Sequence, residues 1–203
     1  MAGMYRASEG RVLIDGLDVS HVARESMSRH VSYVQQDHRL FEGTLRQNLL
    51  VGLPNPGDDM VKAAMAQTGL LDLVAGHPMG LDLPISEGGR GLSGGQKQLL
   101  VFTRLVLSKP KVMLLDEPTA SMDGGTEARC LNALRSPDLA PATMILVTHK
   151  PSMLSVVNRV LVMSKGQIVM DGPRDAVLSQ LSQNAQTVPA KAAGQVGATG
   201  VSA

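Results

Sequence analysis

The sequence predicts an α/β fold with a mainly parallel central sheet and a helical subdomain at about residues 50–108. Two predicted strands, Lys111–Leu115 and Met144–Thr148, have continuously apolar centres, which is typical of parallel strands covered on both faces. Helical spacing of apolar residues precedes each strand, at 93–108 and 126–134. The chain has 203 residues and is 43% hydrophobic, which favours one domain with its own core.

The composition limits the classes of partner. A formal net charge of +1 predicts no electrostatic attraction to nucleic acid or anionic lipid. The single cysteine, Cys130, excludes an internal disulfide framework and is typical of the reducing cytosol. No apolar run approaches the roughly 20 residues that span a bilayer, and Met1–Arg6 lacks the regions of a signal peptide. Any membrane role is therefore expected to come through a partner or through a missing part of the gene.

Short strands and then helices are predicted in the amino-terminal half. Arg11–Ile14 has the pattern of a strand closed by the turn residues Asp15 and Gly16, and His30–Val34 has that of a second strand. The segments that follow are a helix at 58–75, a loop rich in Gly and Pro at 76–91, and a helix at 93–108.

The carboxyl-terminal half contains the two apolar strands, joined by the helix at 126–134. The remaining segments are two strands at 159–163 and 167–170 forming a hairpin at the sheet's edge, a helix at 175–181, and an aperiodic stretch at 182–203. That last stretch is expected to be a disordered tail, because it has no pattern that would bury a core. The predicted domain thus covers residues 1–181.

Asp116 and Glu117 stand at the carboxyl end of the first apolar strand, where open α/β sheets place their ligands. Asp116 is suited to holding Mg²⁺, usually through water. Glu117 is suited to polarising a water that attacks a γ-phosphate. The alternative is an acidic pair that merely caps the next turn, together with Pro118.

Leu92-Ser93-Gly94-Gly95-Gln96 opens the helix at 93–108, whose predicted N-cap is Ser93. Gly94 and Gly95 would let backbone amides approach a phosphate, and the helix dipole adds positive potential there. Ser93 can donate a hydroxyl hydrogen bond. The alternative is an ordinary Ser-capped helix after a flexible loop.

Three further residues are candidates only in combination. The amide oxygen of Gln36 could meet Mg²⁺ and the attacking water, although an isolated surface Gln is usually just solvated. His149 follows the second apolar strand and could contact the γ-phosphate and align Glu117, although a lone His after a strand is more often incidental. Asp123, with Ser121, follows the acidic pair closely, and its alternative role is the N-cap of the next helix.

In this order and spacing, Gln36, Leu92–Gln96, Asp116–Glu117, Asp123 and His149 resemble the nucleotide-binding domain of ABC transporters over residues of about 5 to 181. The resemblance implies an ABC-type ATPase fold with ATP and Mg²⁺ as cofactors. It implies that Glu117, His149 and Gln36 are catalytic, and that Asp116 and Gln36 hold the metal. The residues implied to bind nucleotide in trans, as the signature motif, are Leu92, Ser93, Gly94, Gly95 and Gln96. Ser121 and Asp123 are implied to form a loop at the dimer contact.

Finer details resemble the exporter branch of that family. Phe41–Leu49 resembles a segment that follows the glutamine loop of exporters, and Ile85–Gly91 resembles the loop that senses the membrane domain. The Glu-Gly-Gly-Arg-Gly form at 87–91 most resembles bacterial type I secretion exporters. The implied partners are a transmembrane domain, a second nucleotide-binding domain, and through the exporter a periplasmic adaptor and outer-membrane channel. The implied location is the cytoplasmic face of the inner membrane.

The family's phosphate-binding P-loop, G-x-x-x-x-G-K-[ST], does not occur in the sequence, since no lysine follows a glycine. The resemblance implies a partial fold from which the P-loop and the strand before it are missing. That loop supplies most of the phosphate binding. We therefore expect negligible binding of Mg-ATP by the chain alone, a gap in the sheet, an exposed face of Val, Leu and Ile, and marginal solubility.

Two alternatives remain open. The chain could be a non-catalytic half that supplies Ser93–Gln96 in trans to the ATP site of a partner. It could instead belong to the DNA-repair and chromosome-maintenance ATPases, which share both motifs. Those proteins place long coiled coils between the motifs, whereas here Gln36 and Leu92 are close in sequence, with no sustained heptads and no basic patch.

Overall fold

A computed structural model describes residues 7–35 and 39–187. The chain divides into two compact units, with the boundary between Val156 and Val157. In the first unit the elements are β1 (Leu13–Ile14), β2 (Leu17–Asp18), α1 (Arg24–His30), β3 (Val31–Val34), β4 (Gly43–Thr44), α2 (Leu45–Leu49), α3 (Asp58–Thr68), α4 (Leu70–Ala75), β5 (Pro84–Ile85), α5 (Gly94–Ser108), β6 (Val112–Asp116), α6 (Gly124–Leu134) and β7 (Thr143–Val147). Short 3₁₀ helices lie at Val19–His21, Gly80–Asp82, Glu87–Gly89 and Pro151–Val156.

A three-stranded parallel sheet in the order β3-β6-β7 lies at the centre of this unit. Its register pairs Val34 with Leu115, and Asp116 with Val147. The parallel sheet confirms the predicted α/β class. Because the strands are parallel, their carboxyl ends meet at one edge, where Asp116 lies beside the end of β7.

Strand β7 is less covered than its apolar sequence predicts. The central strand β6 is buried, as both-face coverage requires, with Met113 and Leu115 at 0% and 1% exposure. Along β7, by contrast, residues alternate between exposed and half-buried, and Ile145 and Val147 are 37% and 58% exposed. The prediction of coverage on both faces is therefore wrong for β7, since in the described part of the chain only one face packs on the core. The expected exposed apolar face is confirmed at these two residues.

Helices α2 to α5 pack on one another around aliphatic side chains and Phe102. The predicted single helix at 58–75 is wrong, because Gly69 adopts a left-handed φ of 90° and separates α3 from α4. A residue with this φ ends a helix and lets the chain turn. The predicted loop at 76–91 also contains structure, since β5 pairs antiparallel with β4. The buried core around these helices includes Leu45, Leu49, Val61, Met65, Leu70, Leu100 and Phe102.

The second unit contains a hairpin and a helix. Strands β8 (Arg159–Ser164) and β9 (Gln167–Pro173) pair antiparallel, as predicted, in a two-stranded sheet of their own rather than at the edge of a larger one. Helix α7 (Arg174–Thr187) is longer than the predicted 175–181, because helical backbone continues into the stretch predicted to be a tail. The rest of that stretch, 188–203, lies outside the described residues. No helix among the described residues is long and apolar enough to cross a membrane.

Candidate nucleotide site

The carboxylate of Glu117 lies just after β6 and is held by the loop that follows β7. The backbone N–H of His149 donates to Glu117 Oε1 at 3.0 Å, and its Nδ1 lies 2.7 Å from the same oxygen. The Thr148 hydroxyl donates to Oε2 at 3.4 Å. The Glu117 side chain is 15% exposed, whereas the His149 side chain is 75% exposed. The structure therefore brings together the predicted pair and leaves the imidazole open to solvent.

Glu117 adopts an unusual backbone conformation. Its φ is 47°, in the left-handed region that non-glycine residues rarely occupy. Its N–H donates to the Val147 carbonyl at 2.9 Å, which continues the pairing of β6 with β7 by one residue. The chain turns directly afterwards, so the Glu117 carboxylate is directed toward the loop at 148–149. The turn expected at this point therefore holds a strained residue, as functional sites often do.

Ser93 caps helix α5 in a reciprocal arrangement. The Gln96 N–H donates to Ser93 Oγ at 3.2 Å, and the Ser93 N–H donates to Gln96 Oε1 at 2.9 Å. The predicted N-cap is thus confirmed, and the pair forms a capping box. Gln96 acts within its own helix here. The Ser93 hydroxyl accepts from Gln96 but keeps its own hydrogen, which remains suited to donation to a phosphate.

Asp123 has the role that its alternative interpretation predicted. Its carboxylate accepts hydrogen bonds from the Thr126 N–H and the Thr126 hydroxyl, both at 2.9 Å, at the start of α6. These hydrogen bonds hold the pKa of the Asp123 carboxyl below its ordinary value. Asp123 is therefore the N-cap of α6. A dimer contact by Ser121 and Asp123 stays a prediction.

Sequence reasoning missed a polar network beside the Glu117 turn. Lys150 Nζ donates to Glu127 Oε2 at 2.6 Å and to the Thr119 carbonyl at 2.7 Å, and the Ser152 hydroxyl donates to Glu127 Oε1. Burial raises the pKa of Glu127, but hydrogen bonds from Lys150, Ser152 and Thr119 and the charge of Lys150 together outweigh burial, so that the net pKa is lowered. The sequence did contain one signal for this network: Glu127 lies three residues before Cys130, on the apolar side of the predicted helix at 126–134.

A second missed residue is Gln98, which is 1% exposed on helix α5. Its Nε2 donates to the Glu117 carbonyl, and its Oε1 accepts from the Ser121 N–H, both at 2.9 Å. The helix also approaches the same loop closely, since a Cβ on Gly95 would lie 2.8 Å from the Ser121 carbonyl oxygen. The structure thus joins α5 to the Glu117 turn within one chain.

Gln36, the remaining predicted catalytic and metal-binding residue, lies outside the described residues. Asp116 ends β6 beside Val147. No cluster of three or more His, Cys, Asp or Glu side chains that could hold a metal occurs within 7–35 and 39–187. The carboxylate of Asp116 at the carboxyl end of the sheet fits a hard cation such as Mg²⁺ that takes its other ligands from water and phosphate.

A parallel sheet that ends in Asp116 and Glu117, a loop whose His149 contacts Glu117, and a Ser93-capped glycine-rich helix start are typical of a nucleotide-binding domain. The family model described as ABC transporter matches residues 1–120. The chain belongs to the ABC transporter family.

Several known proteins are similar to this chain. The mycobactin import ATP-binding/permease protein IrtB of Mycolicibacterium thermoresistibile is 38% identical over 92% of this chain and 32% of its own length. The type I secretion system ATP-binding protein PrsD of Rhizobium meliloti is 32% identical over 88% of this chain and 31% of its own length. The chain thus spans about a third of the length of these curated relatives.

The fold is also similar to a solved structure. A bacterial Atm1-family ABC exporter with ATP bound matches with a TM-score of 0.81 and 30% sequence identity, over 93% of this chain and 33% of that one. The match supports the recognition of an exporter-type ABC domain and of a partial ABC ATPase fold.

Proposed function

We propose that this chain is the ATP-hydrolysing part of an ABC exporter and that Glu117 activates the attacking water. The contact between Glu117 Oε1 and His149 Nδ1, 2.7 Å long at the carboxyl end of the sheet, carries this proposal. Because His149 is largely exposed, its imidazole can reach a bound γ-phosphate while it orients the carboxylate. Glu117 polarises the water, and His149 fixes the direction of the carboxylate.

Asp116 and Gln36 would hold Mg²⁺, which neutralises charge on the β- and γ-phosphates when it is bound. Leu92–Gln96 would contact the ATP of a second nucleotide-binding domain, in a head-to-tail dimer whose contact includes Ser121 and Asp123. The first two N–H groups of α5, those of Gly94 and Gly95, precede the groups that donate to Ser93 and have no intrahelical carbonyl to bind, which suits an anion. Each ATP would then lie between Glu117 of one subunit and Ser93 of the other.

The partner that converts hydrolysis into transport would be a transmembrane domain, placing this chain on the cytoplasmic face of the inner membrane. Relatives with ATP-binding/permease names support such a partner. The Glu-Gly-Gly-Arg-Gly stretch at 87–91 and the similarity to PrsD favour type I secretion of a protein or peptide, together with a periplasmic adaptor and an outer-membrane channel.

The chain alone would be inactive, because its sequence contains no P-loop lysine or hydroxyl residue to bind phosphate and Mg²⁺. A second candidate function rests on the start of α5. The capped start of α5 is complete, so the chain could supply Ser93–Gln96 to the ATP site of a partner without hydrolysing ATP itself.

Calorimetric titration of the 203-residue chain with Mg-ATP tests the inactivity, and micromolar binding would contradict it. The ATPase role is tested in the chain extended at its amino terminus by a strand and P-loop segment from an ATP-binding relative such as PrsD. We expect the extended chain to bind and hydrolyse ATP. Its Glu117→Gln variant should still bind ATP, but its rate of hydrolysis should be lower by a factor of about 100 or more.

The matched control is Glu42→Gln, which removes an exposed carboxylate outside the turn and the loop that hold Glu117. Equal hydrolysis by the Glu117→Gln variant and the unsubstituted extended chain would refute the role of Glu117. If the extended chain folds but does not hydrolyse ATP, the non-catalytic function is favoured. The non-catalytic function predicts that the 203-residue chain stimulates ATP hydrolysis by an intact partner domain. It also predicts that Ser93→Ala abolishes this stimulation.

A further inference from the structure

The buried side chain of Gln98 joins the first turns of helix α5 to the Glu117 turn. Its amide has only one orientation that satisfies both contacts, because the Ser121 N–H can only donate and the Glu117 carbonyl can only accept. Both contacts are 2.9 Å, and the side chain is 1% exposed. An amide this deeply buried with both ends paired fixes the distance between the two segments that it joins.

Backbone packing at Gly95 supports the same junction independently. A Cβ at this position would lie 2.8 Å from the Ser121 carbonyl oxygen, closer than side chains approach a backbone oxygen. At the neighbouring Gly94, a Cβ would lie at an ordinary 3.4 Å from the Ser121 Cβ. The second glycine of the motif is therefore required within its own chain, in addition to any contact with a phosphate.

We propose that Gln98 is a positioning residue that makes the start of α5, the Ser121 loop and the Glu117 turn one rigid body. Gln98 acts on the Glu117 backbone, and through it on the carboxylate that binds His149. The consequence rests on the proposed function. In a head-to-tail dimer, Ser93 and Glu117 of one chain serve two different ATP sites, so this junction would couple the two sites mechanically.

Amide hydrogen exchange of the 203-residue chain, resolved by residue with mass spectrometry, tests the proposal without nucleotide. The readouts are the Ser121 amide, which donates to Gln98, and the His149 amide, which donates to the Glu117 carboxylate. Gln98→Met keeps the length of the side chain and removes both hydrogen bonds. We expect the exchange of both amides to accelerate about tenfold, while amides of the central strand β6 exchange as before.

Gly95→Ala should produce the same pattern, because it displaces the Ser121 carbonyl without removing Gln98. The matched controls are Gly94→Ala and Gln67→Met, the latter on an exposed position of α3, and both should leave the two amides protected. Faster exchange at Ser121 with an unchanged His149 would overturn the proposal, because Gln98 would then act only locally. Equal acceleration at every amide, including those of β6, would also overturn the proposal, because Gln98 would then only stabilise the fold as a whole. None of these outcomes bears on whether the protein hydrolyses ATP.

Discussion

Replacement of Lys150 by Met should destabilise the fold far more than the loss of an ordinary surface ion pair. Lys150 Nζ lies 2.6 Å from Glu127 Oε2 and 2.7 Å from the Thr119 carbonyl, and the two paired side chains are only 23% and 11% exposed. Met fills the same volume but leaves the Glu127 carboxylate without a cation. Removing one partner of a fully buried pair costs about 3–5 kcal/mol.

The expected loss here is smaller, about 2–3 kcal/mol, because Thr119 and Ser152 still donate to Glu127 and water reaches part of the site. Urea unfolding of the chain, followed by far-ultraviolet circular dichroism, measures it. Lys109→Met is the control, since Lys109 pairs with Asp138 at 44% and 56% exposure and should cost less than about 1 kcal/mol. A loss of less than about 1 kcal/mol for Lys150→Met would refute the reasoning.

The same pair gives the pH dependence a definite sign. The pKa of Glu127 in the folded chain is below its ordinary value of 4.5. The pair therefore contributes its full stability above pH 4.5 and loses it as the pH falls through the lower, folded-state pKa. The difference between the unsubstituted chain and Lys150→Met should be largest near neutral pH and shrink below pH 4.5. A difference that is constant from neutral to acid pH would contradict an ionic contribution.

Three further predictions concern the core. Cys130 is fully buried, and burial raises the pKa of its thiol to about 12. An aromatic disulfide reagent should therefore label Cys130 only in urea, and prompt labelling of the native chain would contradict this prediction. Asn48→Ala removes buried hydrogen bonds to Phe41 and should lower the free energy of unfolding in urea by about 2–3 kcal/mol. The control Asn55→Ala, at an exposed residue, should lower it by less than about 1 kcal/mol, and equal losses for the two variants would contradict the prediction. Gly69→Ala places a side chain at a φ of 90° and should cost about 1–2 kcal/mol, whereas Gly76→Ala, at −92°, should be nearly neutral by thermal unfolding.

The sequence predicted the elements better than their boundaries and surroundings. The apolar centres of β6 and β7 identify two parallel strands, because that pattern depends only on neighbouring residues. Whether both faces are covered depends on the rest of the sheet, and the prediction was therefore wrong for β7. Helical spacing continues across Gly69 without interruption, so periodicity alone predicts one helix where a left-handed residue makes two.

The candidate site shows the same limit. The order of the motifs selected Glu117 and His149, and the structure shows their side chains in contact, while their catalytic roles stay a prediction. Gln98, Glu127 and Lys150 were not selected, because the contacts of Gln98 with Glu117 and of Lys150 with Thr119 and Glu127 span 19 to 31 residues and no local pattern marks those distances. A buried polar residue can be recognised from the sequence only by its position on an apolar face.

The backbone of Glu117 explains why these distant partners matter to the site. A left-handed non-glycine residue costs of order 1–3 kcal/mol, which the surrounding contacts must offset. Its N–H donates to Val147, its carbonyl accepts from Ala120 and Gln98, and its carboxylate accepts from His149. These contacts come from the sheet, the turn itself, helix α5 and the loop after β7. Since the position of the carboxylate is fixed jointly by elements that are distant in sequence, a change in any of them should reach the carboxylate that we propose to activate water.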